Sequence, residues 1–172
     1  MTKSGRANWF FSLKPPASPV ESIPEGFEVY ETPDGQVFLR KARPKLITDV
    51  ELLEVRKEVR LQAKTRHVIV ERDGPHIIIH SACEKRFGDP AERISPFLAS
   101  RGILDAWAED NAQYHAVFRF TLVAGPTRIF MVDRWCFRGA IDNWYSLECG
   151  PLDAMIRKYA PHIGAQSFFD LL

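Results

Sequence analysis

The sequence predicts an α+β domain whose sheet is mainly antiparallel. Two pairs of short β-rich segments flank turn sequences of proline, aspartate and glycine, which are typical of hairpins. Three further β-rich segments follow one another near the C terminus without a helical segment between them. Because the strands arrive as hairpins and a meander rather than singly between helices, we expect two hairpins and a C-terminal three-strand meander, with three to four helices.

Residues 1–24 are predicted to form a separate N-terminal arm. This segment holds four of the twelve prolines of the chain, and proline disfavours regular structure. Trp9, Phe10 and Phe11 make the arm too apolar to remain in solvent. We expect it to dock on the domain or, alternatively, on a second copy or a partner. Residues 25–172 are predicted to form a single domain, with a sub-division near 89–112 as an alternative.

A hairpin and a helix are predicted for the first part of the domain. Segments 27–31 and 36–40 flank a Thr-Pro-Asp-Gly turn. A helix over 49–64 follows, because Thr48 and Glu51 have the spacing of a capping box.

The remaining elements are predicted in the same way. Segments 66–72 and 76–82 flank an Asp-Gly-Pro turn and form the second hairpin. An Asp-Pro pair at 89–90 and a Ser-Pro pair at 95–96 are helix-start signals and predict two short helices over 91–110. The meander and the last helix, which is opened by Pro151 and ends before Pro161, complete the domain. The meander strands are predicted at 114–123, 127–138 and 144–149.

Charge, cysteine content and hydrophobicity argue against several classes of protein. The 23 basic and 22 acidic residues give a net charge of +1, which predicts no strongly charged partner for the chain as a whole. Three sparsely spaced cysteines argue against a secreted disulfide framework. The longest stretch without Asp, Glu, Lys or Arg, residues 159–169, is too short and too polar to span a bilayer. We therefore expect a cytoplasmic protein without a membrane partner.

Sequence motifs for cofactors and metals are also missing. The glycines are never closer than nine residues apart, so a glycine-rich phosphate loop is not expected. His76, His80 and Cys83 are zinc-compatible residue types, but two residues four apart on a strand are about 13 Å apart, too far to share one ion. The sequence therefore predicts no cofactor and no metal.

Charged residues alternate with aromatic residues in the last three predicted strands. Asp133 lies among Met131, Trp135 and Phe137 on one face of its strand, a mixture that a single buried face does not explain. Either a bulge switches the faces, or these side chains surround a ligand whose anionic group is held by arginine. The candidate ligand-binding residues are Arg119, Asp133, Arg134, Trp135, Arg138, Trp144, Tyr145 and Glu148.

The leading functional hypothesis is a binding domain for a protein partner or a small anionic molecule. A hydrolase or transferase is the alternative, with Cys149 as catalytic nucleophile or with a carboxylate and arginine site. Cys149 precedes a predicted helix start, and a helix N-terminus lowers the pKa of a thiol. As a nucleophile it needs His115 or His162 as a base; otherwise it is a small residue closing the end of the sheet.

Nucleic-acid binding through the predicted helix 49–64 is a further alternative. Arg56, Arg60 and Lys64 lie four residues apart on one flank of this helix, and residues 40–66 include nine basic and four acidic residues. Such a positive ridge can follow a phosphate backbone. A solvated face is the simpler interpretation, since no aromatic side chains are interleaved with the basic ones. The sequence does not predict an oligomeric state.

Overall fold

The computed structural model describes residues 22–82, 113–123, 125, 127–138 and 141–171, together with isolated positions before residue 22. Contacts divide the chain into two compact units, Met1–Arg43 and Pro44–Leu172. The predicted arm over 1–24 and the predicted sub-division near 89–112 fall largely outside the described residues and stay predictions.

The first unit contains a two-stranded antiparallel hairpin. Strand β1 covers Phe27–Glu31 and strand β2 covers Val37–Lys41. The backbone N–H of Gly35 donates to the Thr32 carbonyl oxygen at 2.9 Å, and Gly35 has a φ of +76°, a conformation that favours glycine. The turn chemistry therefore places this hairpin where the sequence predicts it.

Helix α1, Asp49–Gln62, opens the second unit. Thr48 and Glu51 form the predicted capping box: the Thr48 side chain accepts from the Glu51 backbone, and the Glu51 carboxylate accepts from the Thr48 N–H at 2.8 Å. Ile47 and Leu52, on either side of the cap, are buried. The N-terminus of α1 is thus fixed by local sequence.

Five antiparallel strands form the sheet of the second unit. They are arranged in chain order, so each strand pairs with the one before it. The predicted second hairpin and the predicted meander are therefore parts of a single sheet. The strands are β3 (Val68–Asp73), β4 (His76–Ala82), β5 (Tyr114–Leu122), β6 (Ile129–Arg138) and β7 (Ile141–Pro151).

The register between β6 and β7 contains a bulge. Val132 lies opposite Glu148, but the next residue, Asp133, lies opposite Ser146. The extra residue is on β7, so the alternation along β6 continues unbroken. Consequently Glu148 and Ser146 belong to opposite faces of the sheet.

The core of the second unit lies between one face of the sheet and the helices. Helix α2, Leu152–Tyr159, is followed by 3₁₀ helices at Ala160–His162 and Gln166–Asp170. Side chains from α1, α2 and the three central strands are fully or almost fully buried. The largest buried contributors are Ile77, Ile79, Phe118, Phe120, Phe130, Val132, Val55 and Ile156.

The antiparallel α+β class is confirmed, whereas the expected helix number is not supported. The described residues contain two α-helices. The two short helices predicted over 91–110 lie outside the described residues. None of the described helices is long and apolar enough to cross a membrane.

Candidate functional site

Helix α1 and strand β3 lie side by side and run in opposite directions. The Arg72 guanidinium contacts Asp49 at 2.6 Å at the start of α1. About two helical turns further along α1, Arg56 Nη2 donates to the Val70 carbonyl oxygen at 3.2 Å. The chain turns between Ala63 and Val68 to enter β3. These contacts hold the basic flank of α1 beside the outer edge of the sheet.

A groove of about 940 Å³ separates α1 from β3. Its floor is apolar and includes the buried side chains of Val59 and Val70. Its rim carries four basic side chains, all exposed, and the lining includes no carboxylate. These four residues, called the basic rim below, are Arg56, Arg60, Lys64 and Arg66.

Within the described part of the chain, no ion pair involves the basic rim, and the side-chain hydrogen bond found there is that of Arg56. Arg56 and Arg60 lie four residues apart on α1, a spacing at which like charges repel by a few tenths of a kcal/mol, and Lys64 follows just beyond the helix end at Gln62. Apolar walls beside several cations of one sign concentrate the positive field. The groove is therefore suited to an anionic ligand.

Arg128 and Glu51 help to fix the position of α1 over the sheet. Arg128 Nε donates to Glu51 Oε1 at 2.8 Å, and Arg128 also donates to the Leu46 carbonyl oxygen. Burial of Glu51 raises the pKa of its carboxyl, but hydrogen bonds from Arg128 and Thr48 outweigh this effect and lower the pKa below the usual 4.5. Ionised Glu51 thus joins the capping box to the segment that begins β6.

Four of the predicted ligand-binding residues meet on the sheet face opposite the core. Arg119 contacts Asp133 at 2.8 Å and lies over the Trp144 ring, with its Cζ 4.5 Å from the ring centroid. The rings of Trp135 and Trp144 are 5.0 Å apart in an edge-to-face arrangement. Asp133 is buried and also accepts a hydrogen bond from Ser146 at 2.7 Å. The arginine is thus already paired with a carboxylate of the same chain.

Arg134 and Glu148 project to the opposite, core-facing side of the sheet. Arg134 is buried and donates to the Phe168 carbonyl oxygen at 2.6 Å. Glu148 accepts from Lys158 at 2.6 Å and from Tyr159 at 3.0 Å; both hydrogen bonds lower the pKa of its carboxyl. Burial, followed by the hydrogen bond to Glu148, raises the pKa of Tyr159.

The predicted C-terminal cluster is therefore divided between two faces of the sheet. Arg119 and Arg134 belong to opposite faces, so their guanidinium groups do not converge on one ligand. Tyr145 lies on β7 opposite Arg134, and its side chain is half-exposed. The Arg138 side chain lies outside the described part of the structure.

Cys149 lies on β7 opposite Met131, close to the start of α2. Its thiol is exposed and its recorded contact is with Met131 Sδ at 3.4 Å. The ring of His162 is hydrogen-bonded to Ser167 at 2.8 Å. Among the residues that the structure describes, no histidine contacts the Cys149 thiol.

Metal ligands do not cluster in the described ranges. No group of three or more His, Cys, Asp or Glu side chains there is arranged to hold an ion. His80 instead contacts Glu71 at 3.2 Å, across the hairpin of β3 and β4. Cys83, the third member of the His-His-Cys run, lies outside the described residues.

Comparison of the chain with protein-family models, with curated proteins and with solved structures gives no match. The function is therefore inferred from the geometry of the chain itself.

Sequence reasoning identified three members of the basic rim but missed the groove. The helical spacing indicated Arg56, Arg60 and Lys64. The predicted helix 49–64 in fact ends at Gln62, so both Lys64 and Arg66 lie beyond it. The edge position of β3 depends on long-range strand order, which local sequence does not encode. The Asp-Gly-Pro hairpin signal did indicate that β3 and β4 pair; within the described sheet, the other edge of β3 has no neighbouring strand.

Proposed function

We propose that Pro44–Leu172 is a binding domain that takes an anionic partner in the groove between α1 and β3. One observation carries the proposal: four exposed cations, without recorded carboxylate partners among the described residues, surround a groove of about 940 Å³. Arginine supports this role because its planar guanidinium binds carboxylate and phosphate groups through paired hydrogen bonds.

The local charge favours an anion even though the whole chain has a net charge of only +1. Screening limits the reach of surface charges to about 10 Å at moderate ionic strength, so a ligand in the groove responds mainly to the basic rim. The apolar floor contributes contact area for the uncharged parts of the ligand.

Binding of a labelled oligo-glutamate peptide tests the proposal by fluorescence anisotropy. Arg60→Glu should weaken binding roughly fivefold or more, because it replaces attraction by repulsion at the rim. Lys57→Glu is the matched control: Lys57 is exposed on the same helix and changes the net charge equally, but it does not line the groove. Equal losses in both variants, or no binding by the wild-type chain, would contradict the proposal.

An enzymatic role receives less support from the geometry. A thiol nucleophile requires a base, and the recorded neighbour of Cys149 is the thioether of Met131. A cytoplasmic location remains part of the proposal, on the basis of the sparse cysteines.

A further inference from the structure

We infer that the occupant of the groove is an extended acidic peptide that pairs with β3 as an additional strand. This inference rests on the proposed function and specifies the partner. Within the described sheet, β3 is at the end of the strand order, so one of its edges faces away from β4. An edge strand offers a row of backbone donors and acceptors to an incoming chain.

The groove is bordered by the backbone edge of β3 and not only by one of its faces. Three consecutive residues, Val68, Ile69 and Val70, line it. Successive side chains of a strand point to opposite faces, so a groove that touches three in a row follows the edge between the two faces.

Hydrogen bonding shows which backbone groups point toward the groove. The Val70 carbonyl oxygen accepts from Arg56, a residue of the groove rim, and therefore points away from β4. In an antiparallel strand the N–H and C=O of one residue point to the same side, and the pattern repeats every second residue. The N–H groups of Val70 and Arg72 thus face the position that an added strand would occupy.

The spacing of the cations matches an extended chain. Residues four apart on a helix are separated by about 6 Å along its axis. Side chains on one face of a strand repeat at about 6.6–6.8 Å. A peptide with an acidic residue at every second position can therefore place successive carboxylates near Arg56 and Arg60, because both lie on α1 and α1 and β3 lie side by side.

Charge also favours a foreign peptide over a second copy of this strand. Two β3 edges paired with each other would bring two basic rims together, and like charges across an interface oppose association. A nucleic acid would satisfy the cations but would leave the strand edge without matched donors and acceptors.

An alternating Glu-Val peptide and two backbone-methylated forms test strand addition on the full chain. One form carries N-methyl groups on the glutamates and the other on the valines, so each form blocks the donors on one edge of the extended peptide. Only one edge can pair with β3. We expect one methylated form to bind at least about tenfold more weakly than the other, as the loss of two or three hydrogen bonds implies.

Amide hydrogen exchange provides a second measurement on the same complex. The Val70 and Arg72 N–H groups should exchange at least about tenfold more slowly with bound peptide, since strand pairing protects them. Equal affinities of the two methylated forms, with unchanged exchange at both residues, would overturn strand addition and leave anion binding intact. Tighter binding of single-stranded DNA of equal charge would also overturn it. Failure of the alternating peptide and of oligo-glutamate to bind would overturn the proposed function itself.

Discussion

Arg56 Nη2 donates a hydrogen bond to the Val70 carbonyl oxygen at 3.2 Å. This contact joins the basic flank of α1 to the edge strand of the sheet. It orients one cation of the basic rim over the backbone that borders the groove. The pair therefore connects the helix, the sheet edge and the proposed binding site.

Replacing Arg56 separates its role in binding from its role in stability. Arg56→Ala should weaken oligo-glutamate binding roughly two- to fivefold, since one exposed cation contributes a fraction of a kcal/mol to about 1 kcal/mol. Unfolding in urea should change little, because Arg56 is exposed. Arg157→Ala, at an exposed position of α2, is the control and should leave binding unchanged. A strongly destabilised Arg56→Ala protein would show that the contact is mainly structural.

Salt should weaken binding in the groove. Raising the ionic strength from about 0.1 M to about 1 M shortens the screening length from about 10 Å to about 3 Å. The dissociation constant of the oligo-glutamate complex, measured by anisotropy, should rise by about tenfold or more, since the contacts are exposed charge pairs. Affinity that does not depend on salt would indicate apolar recognition instead.

The stability contributed by Glu51 should depend on pH. The pKa of its carboxyl is below the usual 4.5 in the folded protein, so its ionised form stabilises the fold above that value. Glu51→Gln should lower the unfolding free energy by about 1 kcal/mol at neutral pH, through the cap and Arg128. The difference from wild type should shrink as the pH falls below 4.5 and Glu51 becomes protonated in both states.

Urea denaturation at a series of pH values, followed by tryptophan fluorescence, checks this expectation. Glu54→Gln is the control, because Glu54 lies on the same helix but outside the capping box. A difference between Glu51→Gln and wild type that stays constant down to strongly acidic pH would contradict the linkage.

The buried Asp133 carboxylate should stabilise the sheet without affecting the groove. Asp133→Asn would leave Arg119 without its carboxylate, and we expect a loss of about 1–3 kcal/mol, less than for a fully buried pair because Arg119 is partly exposed. Asp153→Asn, in an exposed pair with a separation of 4.0 Å, should change stability by less than about 0.5 kcal/mol. Loss of peptide binding in folded Asp133→Asn protein would indicate that the peptide binds on the sheet face of Asp133 and Arg119 rather than in the groove.

Cys149 distinguishes binding from nucleophilic catalysis. Its thiol is exposed but has no recorded histidine partner among the described residues, so Cys149→Ser should leave peptide affinity unchanged. Thiol labelling of the wild-type chain near neutral pH should proceed at Cys149 no faster than at a free cysteine. Faster labelling that disappears in Cys149→Ser would support the alternative in which Cys149 is a catalytic nucleophile.

Local signals in the sequence predicted much of this fold. The capping box of Thr48 and Glu51, and the turn residues before Gly35, fix their elements within a few neighbouring residues. Register is a different kind of property. The bulge between β6 and β7 separates Glu148 from Ser146, and it depends on how two strands pair rather than on either strand alone.

The candidate site was harder to predict for the same reason. The spacing of Arg56, Arg60 and Lys64 is visible in the sequence, whereas the groove exists only because β3 is the edge strand beside α1. Alternation along one strand correctly separates Asp133 from Arg134, but it reveals neither that Asp133 pairs with Arg119 nor that Arg119 and Arg134 lie on opposite faces. Partners across strands require the tertiary structure.

Mapping of amide chemical shifts during titration with oligo-glutamate tests the central claim most directly. We predict that the largest shifts fall in the second half of α1, in the turn at Thr65 and along β3 to Val70, since these segments border the groove. Shifts concentrated instead around Arg119, Trp135 and Trp144 would contradict the account.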